Sequence, residues 1–199
     1  MKDIYELISE QLDKKESFVL ATILKKLAPA PREEGTKMLI RKDFSIGGTI
    51  GGGILEAMTI KLSAKVFEDG LYIIEDFIMP DKDDACLGMV CGGDIRMLLE
   101  YVDYRDSQMV DIFRKAIELK QRGTDFVMIT KLSEDRRRIK GSDKWICTET
   151  GFYGMENDEI SGIIKHIRED FNGTKIKEVP IGKEIYLIEP FFNIESVHI

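Results

Sequence analysis

The sequence predicts an α/β fold, with one or more mixed sheets and flanking helices, built from two sequence-related halves sharing one core. Three observations predict it. Asp3-Ile4-Tyr5 recurs as Asp111-Ile112-Phe113, and Phe18-Val19-Leu20-Ala21-Thr22 recurs as Phe126-Val127-Met128-Ile129-Thr130, both at an offset of 108. Gly35-Thr36 then aligns with Gly141-Ser142, and Gly48 with Gly154, at an offset of 106; a two-residue deletion near Arg136–Arg138 accounts for the change. Finally, helix-period and strand-like segments alternate in the same order in both halves. One long period of this kind is a duplication rather than a solenoid. We therefore read the chain as a single domain, 1–199, with internal halves 1–104 and 105–199.

Each element follows from its pattern. Lys2–Lys15 places Ile4, Ile8 and Leu12 at helical spacing, with Tyr5 on the same face. Phe18–Leu27 is a strand, and Met38–Arg41 with Ile46–Ile50 flanks a polar turn as a hairpin. A helix follows the triple glycine, with Ile54, Met58, Leu62 and Val66 stepping by four along it. Leu71–Ile78 and Asp94–Tyr101 are two more strands. The second half runs as helix Gln108–Arg122, strands Asp125–Leu132 and Trp145–Thr148, helix Asp158–Phe171, and strands Lys175–Val179 and Glu184–Phe191.

Composition limits the function. A chain of 199 residues, 43% hydrophobic and 33% charged, can bury a substantial core. A formal net charge of −7 argues against general binding to nucleic acid or anionic membranes, although a local basic pocket is compatible with it. Met1-Lys2-Asp3 leads directly into an amphipathic pattern with no apolar signal region, which points to the cytoplasm. Cys86, Cys91 and Cys147 are read as reduced thiols. With His166 and His198 isolated, no spacing resembles a zinc or calcium site, and no protein-bound metal is expected.

Chemistry concentrates in three glycine-bearing segments of the first half. Gly48-Thr49-Ile50-Gly51-Gly52-Gly53 lies between a strand and a helix start, where free amides and the helix dipole favour anions. It fits neither a Walker A loop nor G-x-G-x-x-G, and a tight strand-to-helix turn explains it equally well. Pro31-Arg32, with Gly35 and Lys37, makes a stiff basic loop in which Arg32 could grip a phosphate; Lys37 is better read as an ordinary surface charge. Glu56, in the first turn of the glycine-led helix, suits the dipole or could face an N–H-rich ligand edge such as an aminopyrimidinone. Cys91, before Gly92-Gly93, is a candidate nucleophile or soft-metal contact, whereas Cys86 and Cys147 read as structural. The corresponding stretch of the second half, Gly154-Met155-Glu156-Asn157-Asp158, lacks the glycines and reads as scaffold or partner surface.

Taken in order, Ala30-Pro31-Arg32 with Gly35-Thr36-Lys37-Met38, then Gly48 to Gly53 with Leu55-Glu56-Ala57, then Gly88-Met89-Val90-Cys91-Gly92-Gly93, resemble the amino-terminal domain of the XdhC/CoxI family. The resemblance is strongest over about residues 16–102. It implies an accessory protein, not itself a catalyst, that binds molybdenum cofactor (molybdopterin or its dinucleotide) and helps insert it into a molybdenum hydroxylase of the xanthine dehydrogenase type. The hydroxylase is the implied client; a cysteine desulfurase, a separate Rossmann-domain subunit and a second copy of the chain are further candidate partners. The glycine loop and Arg32 would take the cofactor's phosphate, Glu56 its N–H donors, and Cys91 would lie near its molybdenum–sulfur centre. A sulfur-transfer or redox enzyme using Cys91, or a non-catalytic partner subunit, are the alternatives. The Rossmann-like domain that many members carry after this region is not in this sequence. The family often has Asp-Gly-Ser where this chain has Asp43-Phe44-Ser45, so a turn avoiding positive φ at Phe44 is expected. Pro29 stands where a serine is common.

Overall fold

The computed structural model describes residues 2–26, 32–77, 95–156, 160–164 and 175–192. They form two compact units, one of Met1–Tyr104 with Asp135–Ile139, the other of Arg105–Glu134 with Lys140–Ile199. Each holds a five-stranded sheet, and every strand pair is antiparallel.

In the first unit the elements are α1 (Ile4–Asp13), β1 (Phe18–Lys26), β2 (Lys37–Ile40), β3 (Ile46–Gly48), α2 (Gly53–Asp69), β4 (Ile73–Phe77) and β5 (Ile95–Val102). The sheet order is β3-β2-β1-β5-β4. Asp3 starts α1 with a capping box: its carboxylate accepts from the Tyr5 amide at 2.9 Å, and Glu6 accepts from the Asp3 amide at 3.1 Å. Val19, Ala21 and Ile23 of β1 alternate onto the face that packs against Leu55 and Val66 of α2. On the other side of the hairpin, Leu7 of α1 lies beneath Gly47, where a Cβ would come within 2.8 Å of its Cδ1.

The core face of α2 is Leu55, Thr59, Ser63 and Val66, not the expected Ile54–Met58–Leu62–Val66 line. Ile54 and Met58 are exposed. Small polar residues serve the core here because their hydroxyls turn back on the helix: Thr59 donates to the Leu55 carbonyl and Ser63 to the Ile60 carbonyl, both at 2.7 Å. The β2–β3 turn also departs from expectation. Phe44 takes φ +63°, a left-handed angle that residues with a side chain rarely adopt. Its ring meets Phe67 edge-on at 6.1 Å, and Phe67 meets Tyr101 likewise at 6.1 Å. Asp43 closes the turn by accepting from the amide and hydroxyl of Ser45, bonds that hold its carboxyl below the ordinary aspartate value.

The second unit contains α3 (Ser107–Gln121), β6 (Phe126–Leu132), β7 (Lys144–Cys147), β8 (Phe152–Tyr153), β9 (Lys177–Ile181) and β10 (Glu184–Phe191). Its order is β8-β7-β6-β10-β9, the first unit's order repeated strand for strand. Ile129, Trp145, Cys147, Tyr186 and Ile188 form its apolar cluster with Ile160 and Ile163 of the helical segment at 160–164. The rest of the helix expected over Asp158–Phe171 lies outside the described residues.

The correspondence reaches individual bonds. After α1 the amides of Lys14, Lys15 and Glu16 bond the carbonyls of Glu10, Leu12 and Gln11; after α3 those of Arg122, Gly123 and Thr124 bond Glu118, Lys120 and Leu119. Lys15 takes φ +56° and its counterpart Gly123 takes +65°. Thr22 pairs with Lys37 across β1–β2, and Thr130 with Lys144 across β6–β7; in both, the buried ammonium donates to the threonine hydroxyl at 2.9 Å. Glu100 and Glu189, opposite Leu20 and Met128 respectively, are both buried. A Cβ on Gly48 would press on the Lys37 carbonyl, and one on Gly154 on the Lys144 carbonyl.

Two of the sequence matches behave differently. The counterpart of the Asp3 cap is Asp106, which accepts from the Met109 amide, while Asp111 sits inside α3. Gly35 has φ +84°, but Gly141 begins a short 3-10 turn whose Cβ would collide with the backbone of Gln108 and Met109.

Candidate functional site

Antiparallel pairing decides where the three glycine-bearing segments arise. Lys26, at the end of β1, is opposite Ile95, which opens β5, and Ile95 is also opposite Phe77, which closes β4. Met38, one residue into β2, is opposite Gly48, which closes β3. The β1–β2 connection, the β3–α2 connection and residues 78–94 joining β4 to β5 therefore all begin and end at one end of the first unit's sheet. In the second unit the equivalent of 78–94 is a two-residue turn, Gly182-Lys183, with Ile181 opposite Glu184. Pro31, Cys91, Gly92 and Gly93 lie outside the described residues.

Arg32 is exposed at the mouth of the β1–β2 connection. Its acidic neighbours are engaged elsewhere: Glu33 pairs with the Lys26 ammonium at 2.8 Å, and Glu34 accepts from the Lys26 amide at 3.3 Å. Gly35, φ +84°, donates its amide to the Ile23 carbonyl at 2.8 Å and so anchors the connection to β1. No atom would meet a Cβ at Gly35, so the glycine answers to conformation rather than to crowding. Lys37 is neither on the loop nor on the surface. It is 9% exposed in β2, with its ammonium on Thr22, as Lys144 is on Thr130 in the unit that lacks the glycine loop.

Three successive residues of positive φ, Gly51 (+129°), Gly52 (+84°) and Gly53 (+64°), lead the chain into α2. The amides at this turn face an acceptor that the sequence did not reveal as theirs. Oε1 of Glu56 accepts from the Thr49 hydroxyl, from the Ile50 amide at 3.3 Å and from the Gly52 amide at 3.0 Å. The Gly51 amide donates to Thr49 Oγ1 at 3.2 Å, so it joins the same network. The anion that the loop was expected to attract is supplied by the helix itself. Among the described residues, Glu56 Oε2 takes part in no hydrogen bond or ion pair. The signal for this was present in the sequence as a glutamate four residues after the last loop glycine to donate, within reach of a helix start.

Among the described residues no group of three or more His, Cys, Asp or Glu side chains is placed to hold a metal ion. Cys147 is buried in the second unit's cluster. No described helix is long and apolar enough to cross a membrane.

Comparison with known proteins fits this arrangement. Residues 11–77 match the XdhC and CoxI family. The XdhC/CoxI match runs from Gln11 in α1 to Phe77 at the end of β4, and so includes Arg32, the triple glycine and Glu56. The fold is similar to that of a crystal structure from Bacillus halodurans described as a xanthine dehydrogenase, with a TM-score of 0.67 and 22% identity. That alignment covers 92% of this chain and 52% of the other, so this chain spans about half the length of that protein. No curated protein matches the chain.

Proposed function

We propose that this chain is a cytoplasmic accessory protein that binds molybdenum cofactor and assists its insertion into a molybdenum hydroxylase of the xanthine dehydrogenase type, without catalysing a reaction of its own. The observation that carries the proposal is the convergence of three connections at one sheet end in the unit matching XdhC/CoxI, with Arg32 left unneutralised there. A described xanthine dehydrogenase of the same fold supports the choice of client class.

The residues present fit such a group. Arg32 has a planar fork suited to a phosphate oxygen pair and, among the described residues, no carboxylate partner. Glu56 Oε2 is an acceptor for the N–H edge of the pterin. Cys91 belongs to the connection that leaves from the same sheet end. When bound, the cofactor supplies a soft molybdenum–sulfur centre; the chain's part is to hold its polar end and orient it. Lys37 and Gly48 belong to the supporting sheet, because each has a counterpart in the other unit. We read the bond-level repetition of the two units as the trace of an internal duplication.

The test is to purify the chain from a molybdenum-replete host and assay the fluorescence of oxidised pterin released from it. Wild type is expected to carry pterin, and Arg32→Ala to lose at least tenfold in affinity, the equivalent of one charge-assisted contact of about 1.4 kcal/mol. Cys91→Ser is expected to weaken binding as well. Unchanged binding in both variants sinks the site assignment.

A further inference from the structure

We infer that Glu56 is the resident anion of the glycine loop: it closes the loop to phosphate and converts it into a wall that presents a carboxylate oxygen to its ligand. Three donors end on one oxygen, the Thr49 hydroxyl and the amides of Ile50 and Gly52, and the Gly51 amide reaches it through Thr49. The consecutive positive φ values of Gly51, Gly52 and Gly53 give the turn this course. At Gly52 a Cβ would meet nothing, so glycine is required there by its backbone angle and not by crowding from the protein.

An external anion would have to displace a carboxylate that is tethered four residues from Gly52 on the same helix start. A tethered group competes at high effective concentration. If Glu56 stayed in place, a second negative charge beside it would be repelled. The loop is therefore closed to phosphate, and the phosphate of an anionic ligand is met by Arg32 instead. What the loop offers is Glu56 Oε2, an acceptor-only atom that selects N–H donors and rejects carbonyl or phosphate oxygens. This ligand-class statement rests on the binding role proposed above; the closure of the loop to anions does not.

The test uses the full 15N-labelled chain as wild type, Glu56→Ala and Glu56→Gln, titrated with sodium phosphate and sodium formate against sodium chloride at equal ionic strength. In wild type the amide resonances of Ile50 and Gly52 are expected not to move saturably with any anion. In Glu56→Ala they are expected to move saturably with formate, which takes the place of the lost carboxylate. A variant that folds only in formate supports the inference equally. If Glu56→Ala does not fold under any condition, Glu56→Gln decides: its neutral oxygen should shift the Gly52 amide upfield, and an unchanged shift overturns the inference. A saturable phosphate shift at Gly52 in wild type, or a folded Glu56→Ala indifferent to formate, also overturns it. A second arm measures quenching of a simple 2-amino-4-oxopteridine: about a tenfold loss in Glu56→Gln is expected, as a charge-assisted acceptor becomes a neutral one. An unchanged affinity removes the ligand-class statement. None of the amide readouts involves molybdopterin, so failure of the cofactor proposal and failure of the loop inference are separately visible.

Discussion

Gly48 and Gly154 occupy equivalent places over the carbonyls of paired lysines, and replacing each with alanine should separate backbone strain from crowding. Gly48 has φ +77°, and its added Cβ would lie 3.0 Å from the Lys37 carbonyl oxygen and 3.4 Å from the Cδ1 of Ile4, a mobile side-chain end. Gly154 has φ +128°, and its Cβ would lie 2.5 Å from Trp145 Cδ1 and 2.9 Å from the Lys144 carbonyl oxygen. The Trp145 ring cannot retreat freely. It is 2% exposed and its Nε1 donates to the Met155 carbonyl at 2.7 Å. Strain at a left-handed angle costs about 1–2 kcal/mol in both variants. Overpacking adds about 1–3 kcal/mol at Gly154 and little at Gly48. The expected losses are roughly 1–2 kcal/mol for Gly48→Ala and about 2–5 kcal/mol for Gly154→Ala. At about 2–4 °C per kcal/mol for a chain of this size, Gly154→Ala should melt roughly 4–20 °C below wild type. Circular dichroism melts measure the difference. Tryptophan emission adds a local check, since Trp145 is the single tryptophan: it should shift in Gly154→Ala and stay unchanged in Gly48→Ala. A Gly154→Ala protein as stable as Gly48→Ala, with unaltered emission, refutes the reasoning.

Four further substitutions, at Phe44, Lys15 and Gly123, test backbone conformations that the sequence conceals. At Phe44, alanine keeps the left-handed angle while losing the edge-on contact with Phe67, whereas glycine relieves the angle. Urea denaturation should place Phe44→Ala about 1 kcal/mol below Phe44→Gly, and the reverse order would show that the turn rearranges. Lys15→Gly should stabilise the chain by about 0.5–1 kcal/mol, because Gly123 already occupies the matching angle after α3; Gly123→Ala should destabilise it by about as much, and equal melting of both variants contradicts the correspondence.

Strands were legible where apolar runs were long. The expected strand Glu184–Phe191 matches β10 to the residue, and the expected strand Phe18–Leu27 matches β1 from Phe18 to Lys26, with Leu27 outside the described residues. β8 was not legible, because Phe152-Tyr153 is too short to show a period. The core face of α2 differs from the expected line for a physical reason: hydropathy counts Thr59 and Ser63 as polar, yet their hydroxyls are absorbed by carbonyls of their own helix. Phe44 illustrates the opposite limit, since propensity forbids what ring packing and the Asp43–Ser45 bonds sustain. For the candidate site, sequence spacing does not show which partners its residues take. That Glu56 turns onto its own loop depends on the curl of three glycines, which no one-dimensional spacing displays. The burial of Lys37 did have a sequence signal: a threonine and a lysine recur as Thr22/Lys37 and Thr130/Lys144, at nearly the same separation in both halves.

That recurrence gives the chain an internal control. A feature kept by both units answers to the fold they share, and a feature of one unit alone needs another cause. The buried Lys–Thr pair, the glycine over the lysine carbonyl, the left-handed residue after the first helix and the strand order are all kept. This removes Lys37 and Gly48 from the candidate contacts, however suggestive their positions in the motifs. An exposed arginine is common to both connections, Arg32 between β1 and β2 and Arg136 between β6 and β7. What differs between the units is the triple glycine with Glu56, and residues 78–94, which carry Cys91 where the other unit has only Gly182-Lys183. Each departs from a sheet that closes without it, as the second unit demonstrates. The glycine run and the long connection lie at one end of the first unit's sheet, and the strand order common to both units forms without them.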